Sequence, residues 1–182
     1  SKYERMWRGG HYADSPGPVY AQAAWAALGI RPGDTILDVG AGTGDASAWF
    51  AAHGARPTML DITGAGFRHN LPHIIAPAWA FTAEPHDWLF SSDVFEHLPP
   101  AHVAATLRVC AAAARRGAWL RISTRPDGCG AAIGETLHLT VRPASWWATR
   151  LAMHWHVAGL TSGEDAATFT CLHKPLDKPH TY

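Results

Sequence analysis

A glycine-rich segment between a predicted strand and a predicted helix constrains the fold of this chain more than any other feature. The segment reads Asp38-Val39-Gly40-Ala41-Gly42-Thr43-Gly44. Its glycines stand at alternate positions, so the backbone can turn tightly and approach a ligand without interference from Cβ atoms. Asp61, at the end of the next predicted strand, has about the spacing at which dinucleotide-binding folds place a ribose-binding carboxylate. These residues predict an adenosine-ligand site at the carboxyl ends of neighbouring strands.

Apolar runs and turn residues alternate along the rest of the chain. Buried strands are predicted at 35–39, 57–61, 73–76, 88–92 and 118–123. Helices are predicted at 19–28, 45–53, 64–71, 99–116 and 143–152, with Arg115 and Arg116 in the last turn of the fourth. Segments 153–158 and 167–172 are predicted to form an antiparallel strand pair. The pattern indicates a Rossmann-like α/β fold, with a mostly parallel twisted sheet and helices on both faces.

The spacing of the glycines distinguishes between adenosine ligands. A nicotinamide-binding loop follows the pattern Gly-x-Gly-x-x-Gly, but here the third glycine comes one residue early and Asp45 takes its place. Asp38 and Asp45 would add negative charge beside a pyrophosphate, whereas a sulfonium ligand with an amino group tolerates both acids. The loop therefore favours S-adenosylmethionine (SAM) over NAD or FAD, with a purely structural glycine turn as the remaining interpretation.

Three parts of the chain together resemble class I SAM-dependent methyltransferases: residues 36–47, Asp61 and residues 92–99. The last part, Ser92-Asp93-Val94-Phe95-Glu96-His97-Leu98-Pro99, is similar to the Asp-Val-Leu-Glu-His-Ile-Pro signature that follows the fourth strand in many small-molecule methyltransferases. Residues 137–147 are similar to small uncharacterised bacterial and phage-encoded members. The resemblance covers nearly the whole chain, and it implies the class I methyltransferase fold, SAM as cofactor and S-adenosylhomocysteine (SAH) as product.

The resemblance also implies which residues contact the cofactor. Asp38 would lie near the amino group of SAM, Asp61 would accept both ribose hydroxyls, and Asp93 would lie under the methionine end. Residues 1–18, with Trp7, Arg8 and Tyr12, would form an N-terminal lid. The complete set of expected contacts is Asp38, Gly40, Ala41, Gly42, Gly44, Asp61, Ile62, Trp79, Asp93 and Val94.

One departure from the family concerns the adenine ring. Many members carry Asp or Asn just after the third strand, where it binds the adenine amino group, but this chain has Trp79-Ala80. Two alternatives remain open at this point. Glu84 substitutes for the missing acid, or Trp79 holds the adenine by stacking.

His97 and His138 are the expected catalytic residues. Methyl transfer from a sulfonium is an in-line displacement, so orientation supplies most of the acceleration, and a base is needed only for a protonated acceptor. His97 follows the fourth strand, where the methyl group should point, unless it only organises the turn. His138 lies in a loop after the fifth strand, where substrates commonly bind. Asp93, Glu96 and His97 could also surround a divalent ion, but without a second ligand group the signal is weak, and no metal is predicted.

Charge and length restrict the partners. The 182 residues form a single expected domain with 15 Lys+Arg and 15 Asp+Glu, so the basic surplus typical of nucleic-acid binders is absent. Ser92-Asp93-Val94-Phe95 replaces the Pro-Pro-aromatic motif of base-methylating enzymes, and duplex nucleic acid is not expected as a substrate. No membrane segment or signal peptide is seen, so the expected location is the cytoplasm. The oligomeric state cannot be read from the sequence.

Three functions from different classes are compatible with these observations. The first is a SAM-dependent methyltransferase that acts on a small-molecule acceptor. The second is a SAM-binding regulatory or scaffold protein without transferase activity, which the missing adenine-binding acid suggests. The third is an NAD-dependent oxidoreductase, which the glycine spacing disfavours. Product formation separates the first from the second, and the choice of cofactor separates the third.

Overall fold

A mixed sheet of seven strands organises the molecule, as described by a computed structural model for residues 1–12 and 16–174. The strands are β1 (Thr35–Val39), β2 (Arg56–Asp61), β3 (His73–Ile75), β4 (His86–Ser92), β5 (Ala114–Ser123), β6 (Trp155–Ser162) and β7 (Ala166–His173). The helices are α1 (Lys2–Arg8), α2 (Gly17–Leu28), α3 (Asp45–Ala52), α4 (Val103–Ala113) and α5 (Ala144–Leu151), with short 3₁₀ segments at Phe95–His97, Pro100–His102 and Gly130–Ile133.

The strand order across the sheet is β3-β2-β1-β4-β5-β7-β6. The first five strands of this order pair in parallel, whereas β7 runs antiparallel to both β5 and β6. The predicted Rossmann-like fold with a C-terminal antiparallel pair is therefore confirmed. The order reverses between β1 and β4, and in open α/β sheets the crevice at such a point is the usual ligand site.

Two apolar cores cover the two faces of the sheet. Successive side chains of a strand point to opposite faces, so Leu37 and Val39 join the core beneath α4 and α5. Ile36 joins the opposite core with Phe50 of α3. Asp38 shares the face of Ile36, which brings its carboxylate within reach of α3 at the carboxyl edge of the sheet.

The predicted helix at 64–71 is wrong, because these residues form irregular turns. The segment forms one local turn, in which the Phe67 amide donates to the Gly64 carbonyl at 3.2 Å, but the next amide, of Arg68, donates to the Thr43 carbonyl of the glycine loop at 3.0 Å. The His69 ring also bonds the Asp45 carboxylate at 2.7 Å. Tertiary contacts with the loop thus replace local helical bonds in a segment that already contains two glycines.

The predicted helix over 99–116 is shorter than expected. Residues 100–102 form a separate 3₁₀ turn, the α-helix begins at Val103, and it ends at Ala113. Arg115 and Arg116 lie in β5 instead of at a helix terminus. Arg116 forms an ion pair with Asp34 at 3.2 Å, and its guanidinium lies over the Trp88 ring. Both arginines lie in the strand because β5 already pairs with β4 at Ala114, a contact that the local sequence does not show.

The helices are short relative to a bilayer. They run from 7 to 12 residues, whereas a membrane-spanning helix needs about 20. Within residues 1–12 and 16–174, none is long and apolar enough to cross a membrane.

The junction of β5 and β7 yields a prediction about stability. A Cβ atom on Gly117 would lie 2.2 Å from the carbonyl oxygen of Cys171, and this backbone cannot withdraw without breaking the ladder. Gly117→Ala should lower the free energy of unfolding by about 1–3 kcal/mol, the usual cost of overpacking. Gly128→Ala is the matched control, because open space surrounds its Cβ position. Urea unfolding followed by circular dichroism measures both variants, and equal stabilities would contradict the prediction.

Candidate active site

A cavity of about 690 Å³ opens at the carboxyl edge of the parallel strands, where the strand order reverses. Its size falls within the range of small-molecule sites, about 300–1,000 Å³. Both expected catalytic residues and nine of the ten expected cofactor contacts line it: His97, His138, Asp38, Gly40, Ala41, Gly42, Asp61, Ile62, Trp79, Asp93 and Val94. Gly44 does not line the cavity. It begins the turn into α3 with a φ of 81° and packs against Met59.

The glycine loop is attached to the end of β2 by its own backbone. The amides of Gly40 and Ala41 both donate to the Leu60 carbonyl, at 2.7 and 3.1 Å. Gly40 has a φ of 76°, and a Cβ there would lie 2.1 Å from the Val94 side chain. Gly40 is therefore required both by its backbone conformation and by the closeness of Val94.

Asp61 is held by backbone donors at the end of β2. Its Oδ2 accepts from the Gly42 amide at 3.0 Å, and its Oδ1 accepts from the Thr63 amide at 3.1 Å. Burial raises the pKa of this carboxyl, while the amides of Gly42 and Thr63 oppose the shift. An ionised carboxylate has about four acceptor positions, so these two bonds leave acceptor capacity for a ligand hydroxyl.

Asp38 brings a second acid into the same cavity. Its carboxylate is buried and accepts from the Ser47 hydroxyl of α3 at 2.7 Å. Burial raises the pKa of Asp38 to about 7, the Ser47 hydrogen bond opposes this, and the charge of Asp61 adds to it. With this pKa, Asp38 is only partly ionised near neutral pH. A positive ligand group beside it would stabilise its ionised form.

The adenine end expected from the resemblance is apolar in the structure. Ile62, Ala76, Ala78 and Trp79 line the cavity there. The Trp79 ring stacks on His102 with centroids 4.4 Å apart and an angle of 6° between the planes. Glu84 is not among the lining residues in the described part of the chain, so the alternative in which it replaces the missing acid has no support.

An aromatic lid covers the glycine loop. The Trp7 ring of α1 packs so closely on Gly42 and Gly66 that a Cβ on either glycine would lie within 3.2 Å of the ring. Lys2 donates to the Thr136 carbonyl at 2.9 Å, and Arg5 pairs with Glu135. These bonds tie α1 to the long connection after β5. Of the predicted lid segment 1–18, residues 13–15 lie outside the described residues, and 17–18 begin α2.

Asp93 has an unusual conformation at the end of β4. Its φ of 56° is the only positive value among the described non-glycine residues, so its backbone is strained. The carboxylate pairs with Arg121 of β5, whose guanidinium lies 4.8 Å from the Tyr20 ring centroid. Burial raises the pKa of Asp93, and the charge of Arg121 opposes the shift. Arg121 is not among the site residues expected from the sequence, where its only signal is its place near the carboxyl end of a predicted strand.

His97 and His138 meet in the cavity although 41 positions separate them. Their rings lie 4.7 Å apart at 85°. His97 Nδ1 bonds the Leu137 carbonyl at 3.2 Å, and His138 Nδ1 bonds the Arg125 carbonyl at 2.8 Å. Because a carbonyl oxygen only accepts, each Nδ1 carries the proton and each neutral ring keeps its lone pair on Nε2. Both rings are thus oriented by main-chain groups.

Glu96 lies beside these two rings and was not chosen as a site residue from the sequence. It is fully buried, and neither carboxylate oxygen has a hydrogen-bond partner among the described residues. Burial, with the charge of Asp93, raises its pKa to about 8. Burial lowers the pKa of His97 to about 4. A base works best with a pKa near the operating pH, so His97 alone is a weak proton acceptor.

The comparisons with known proteins agree with this architecture. Residues 18–164 match a protein family described as a methyltransferase domain. A search of curated proteins finds no matching sequence. Solved structures resemble the fold at low sequence identity. A Burkholderia thailandensis 1,6-didemethyltoxoflavin-N1-methyltransferase, solved with that compound and SAH, has a TM-score of 0.71 at 19% identity, covering 94% of this chain and 85% of that one.

Two further structures share the fold. The magnesium protoporphyrin IX methyltransferase of Synechocystis PCC 6803, solved with SAH, has a TM-score of 0.65 at 19% identity and covers 94% of each chain. The N-methyltransferase NodS of Bradyrhizobium japonicum WM9, also solved with SAH, has a TM-score of 0.64 at 18% identity, covering 88% of this chain and 89% of that one. At these identities the likeness concerns the fold.

The raised pKa of Asp38 predicts how stability changes with pH in the ligand-free protein. The carboxyl ionises near pH 4 when unfolded and near pH 7 when folded, so folding loses stability as the pH rises through this window. Asp38→Asn still accepts the Ser47 hydrogen bond but cannot ionise. Between pH 5 and pH 8 the wild type should lose about 2–3 kcal/mol of unfolding free energy relative to this variant. Urea titrations at both pH values measure the difference, and parallel profiles would contradict it.

Proposed function

The chain belongs to the methyltransferase-domain family and is a SAM-dependent methyltransferase, and we propose that its acceptor is a small molecule bound in the cavity beside the cofactor. The observation that carries the proposal is the convergence of Asp38, Asp61, His97 and His138 on one cavity at the switch point of the sheet. Two acids suit the cationic cofactor, and two imidazoles suit a polar acceptor.

The cofactor half of the proposal uses the two acids and the glycine loop. Asp61 keeps acceptor capacity for both ribose hydroxyls, since the amides of Gly42 and Thr63 occupy only part of its carboxylate. Asp38 faces the amino group of the methionine part. A positive group there favours the ionised form of Asp38, so each charge stabilises the other.

In this proposal the adenine ring packs against the apolar lining residues around Trp79, at the end of the cavity away from Asp38. Trp79 is oriented by its stacking on His102, and Ile62 and Val94 supply aliphatic surface in the same cavity. Flat apolar surfaces hold an adenine ring without an acid for its amino group. Selectivity for adenine would then come from shape rather than from a carboxylate hydrogen bond.

The acceptor half lies at Glu96, His97 and His138, a group that we call the acceptor-end cluster. In-line transfer needs the attacking atom, the methyl carbon and the sulfur on one line, and binding in a shaped cavity supplies this orientation. The lid residues Tyr3 and Trp7 line the same cavity and reduce the access of water. The attack disperses the sulfonium charge, so exclusion of water does not oppose the transfer.

A small acceptor agrees with the size and charge of the molecule. The cavity of about 690 Å³ has room for a cofactor and a compact second molecule, and the net charge of zero offers no attraction to a nucleic-acid backbone. Two of the similar structures named above support this view, since one was solved with bound 1,6-didemethyltoxoflavin and the other is a magnesium protoporphyrin IX methyltransferase. The cofactor and the acceptor together would fill the site.

Replacement of Asp61 tests the cofactor half. Asp61→Ala should weaken SAM binding by about 10- to 150-fold, because it removes charged hydrogen bonds to the ribose that contribute about 1.5–3 kcal/mol. Asp87→Asn is the control, since its carboxylate bonds Thr35 at the opposite edge of the sheet. Titration calorimetry measures both, and unchanged affinity in Asp61→Ala would remove this residue from the site.

Calorimetry and product detection test the whole proposal. The purified chain should bind SAM and SAH at micromolar concentrations and give no signal with NAD, because Asp45 and Asp38 oppose a pyrophosphate. A screen of small hydroxyl- and amine-bearing compounds with SAM should then release SAH with at least one of them. SAM binding without turnover on any compound would favour the scaffold alternative, and binding of NAD alone would overturn the proposal.

A further inference from the structure

The acceptor-end cluster joins two imidazoles and a carboxylate from separate parts of the chain. Glu96 and His97 lie in the 3₁₀ turn after β4, whereas His138 lies in the long connection after β5. Each residue can offer one ligand atom, and these atoms all lie within 4.8 Å of one another. We propose that Glu96, His97 and His138 bind one divalent transition-metal ion, such as Zn²⁺, at the acceptor end of the cavity.

The distances between the candidate ligand atoms of Glu96, His97 and His138 can be compared with those of a zinc centre. Zinc bonds nitrogen and oxygen at about 2.0–2.2 Å, which places the ligand atoms of a tetrahedral site about 3.4 Å from one another. The observed separations of at most 4.8 Å exceed this value by up to about 1.4 Å, so side-chain rotation would have to bring the ligand atoms closer when an ion binds.

The two imidazoles already have the tautomer that a metal requires. A metal-binding histidine usually donates its other ring N–H to a carbonyl or carboxylate, which orients the ring. His97 and His138 do this through Nδ1 to the carbonyls of Leu137 and Arg125, at 3.2 and 2.8 Å. The Nε2 lone pairs are therefore the ones available to an ion.

Glu96 supplies the second, independent indication of a ligand. A fully buried carboxyl group without a hydrogen bond is costly, and its charged form is normally paired with a cation or bound to a metal. Glu96 is fully buried and both of its oxygens lack partners within the described residues. The amides of Glu96 and Ser123 are near enough to affect its pKa but outside hydrogen-bond geometry. A cation would provide the missing compensation.

The structure alters the ligand set that the sequence pattern suggested. Asp93 is committed to Arg121 in an ion pair, so it is not the third ligand. His138 supplies the second ligand group that the 93–97 segment lacks. Two nitrogen donors and one oxygen donor suit zinc and its first-row neighbours, whereas magnesium and calcium prefer oxygen ligands throughout.

Three protein ligands leave at least one coordination position open, and all three line the cavity. An acceptor hydroxyl oxygen that binds there loses its proton to solvent more readily, because the ion stabilises the oxyanion. That oxygen then forms a bond to the methyl carbon as the carbon–sulfur bond breaks, and the bonding electron pair stays on sulfur. The products are a methyl ether, SAH and one proton. This role rests on the proposed function, whereas the metal site does not.

Metal titration of the 182-residue chain tests the site. Chelator-treated protein, without SAM or acceptor, is titrated with Zn²⁺ by calorimetry and with Co²⁺ by visible absorption. The expected result is one ion per chain, with a Co²⁺ spectrum of low coordination number. His138→Gln and Glu96→Gln should each weaken binding by about 100-fold or more, since even outer-shell changes cost about 10–100-fold. Both substitutions nearly preserve side-chain volume, and circular dichroism checks that the variants fold.

His73→Gln is the matched control, because His73 is an exposed histidine of β3 outside the cavity. Its metal affinity should equal that of the wild type. No saturable binding by the folded wild type would overturn the site, and so would an equal loss in all three variants. SAM titration of the same metal-free samples separates the two proposals, since a chain can bind SAM and fail to bind metal, or the reverse.

Discussion

The hydrogen bonds between the glycine loop and the end of β2 hold the rest of the site in place. The Leu60 carbonyl accepts the amides of Gly40 and Ala41, and the Asp61 carboxylate accepts the amide of Gly42. These bonds set the distance between β1 and β2 at the point where a ligand enters. Because the amides of Gly40, Ala41 and Gly42 are used within the protein, the loop offers a ligand its surface shape, and the carboxylate that faces the ligand comes from Asp61.

Buried acids give the cavity its chemical character. Burial raises the pKa values of Asp38, Asp61 and Glu96, and cations near Asp38 or Glu96 would reverse these shifts. Asp93, in contrast to these three acids, is paired with a cation of the protein, Arg121. A sulfonium cofactor at one end of the cavity and a metal ion at the other would each place positive charge beside a buried acid. Burying these acids without a cation lowers the stability of the ligand-free protein.

The N-terminal helix and the connection after β5 complete the site together. Lys2 and Arg5 fasten α1 to residues 135–136, and the same connection carries His138. The lid and the acceptor end are thus joined by direct contacts, because the connection that α1 binds is also the one that carries His138. Tyr3 contacts the His97 ring edge-on at 5.7 Å, which links the two directly.

The sequence by itself determined the fold, the choice of cofactor and the residues proposed to bind it, because these depend on short-range patterns. Five parallel strands, the glycine turn and Asp61 follow from local periodicity and from spacing within one βαβ unit. Only the tertiary structure decided the acceptor end. His97 and His138 are 41 positions apart in the sequence and meet only in the folded chain. Asp93 is excluded as a metal ligand only by its ion pair with Arg121. Glu96 becomes a candidate ligand only because it is buried without a hydrogen-bond partner among the described residues. The predicted helix at 64–71 is absent and the predicted helix at 99–116 is shorter in the structure, because contacts with distant residues outweighed local helix propensity.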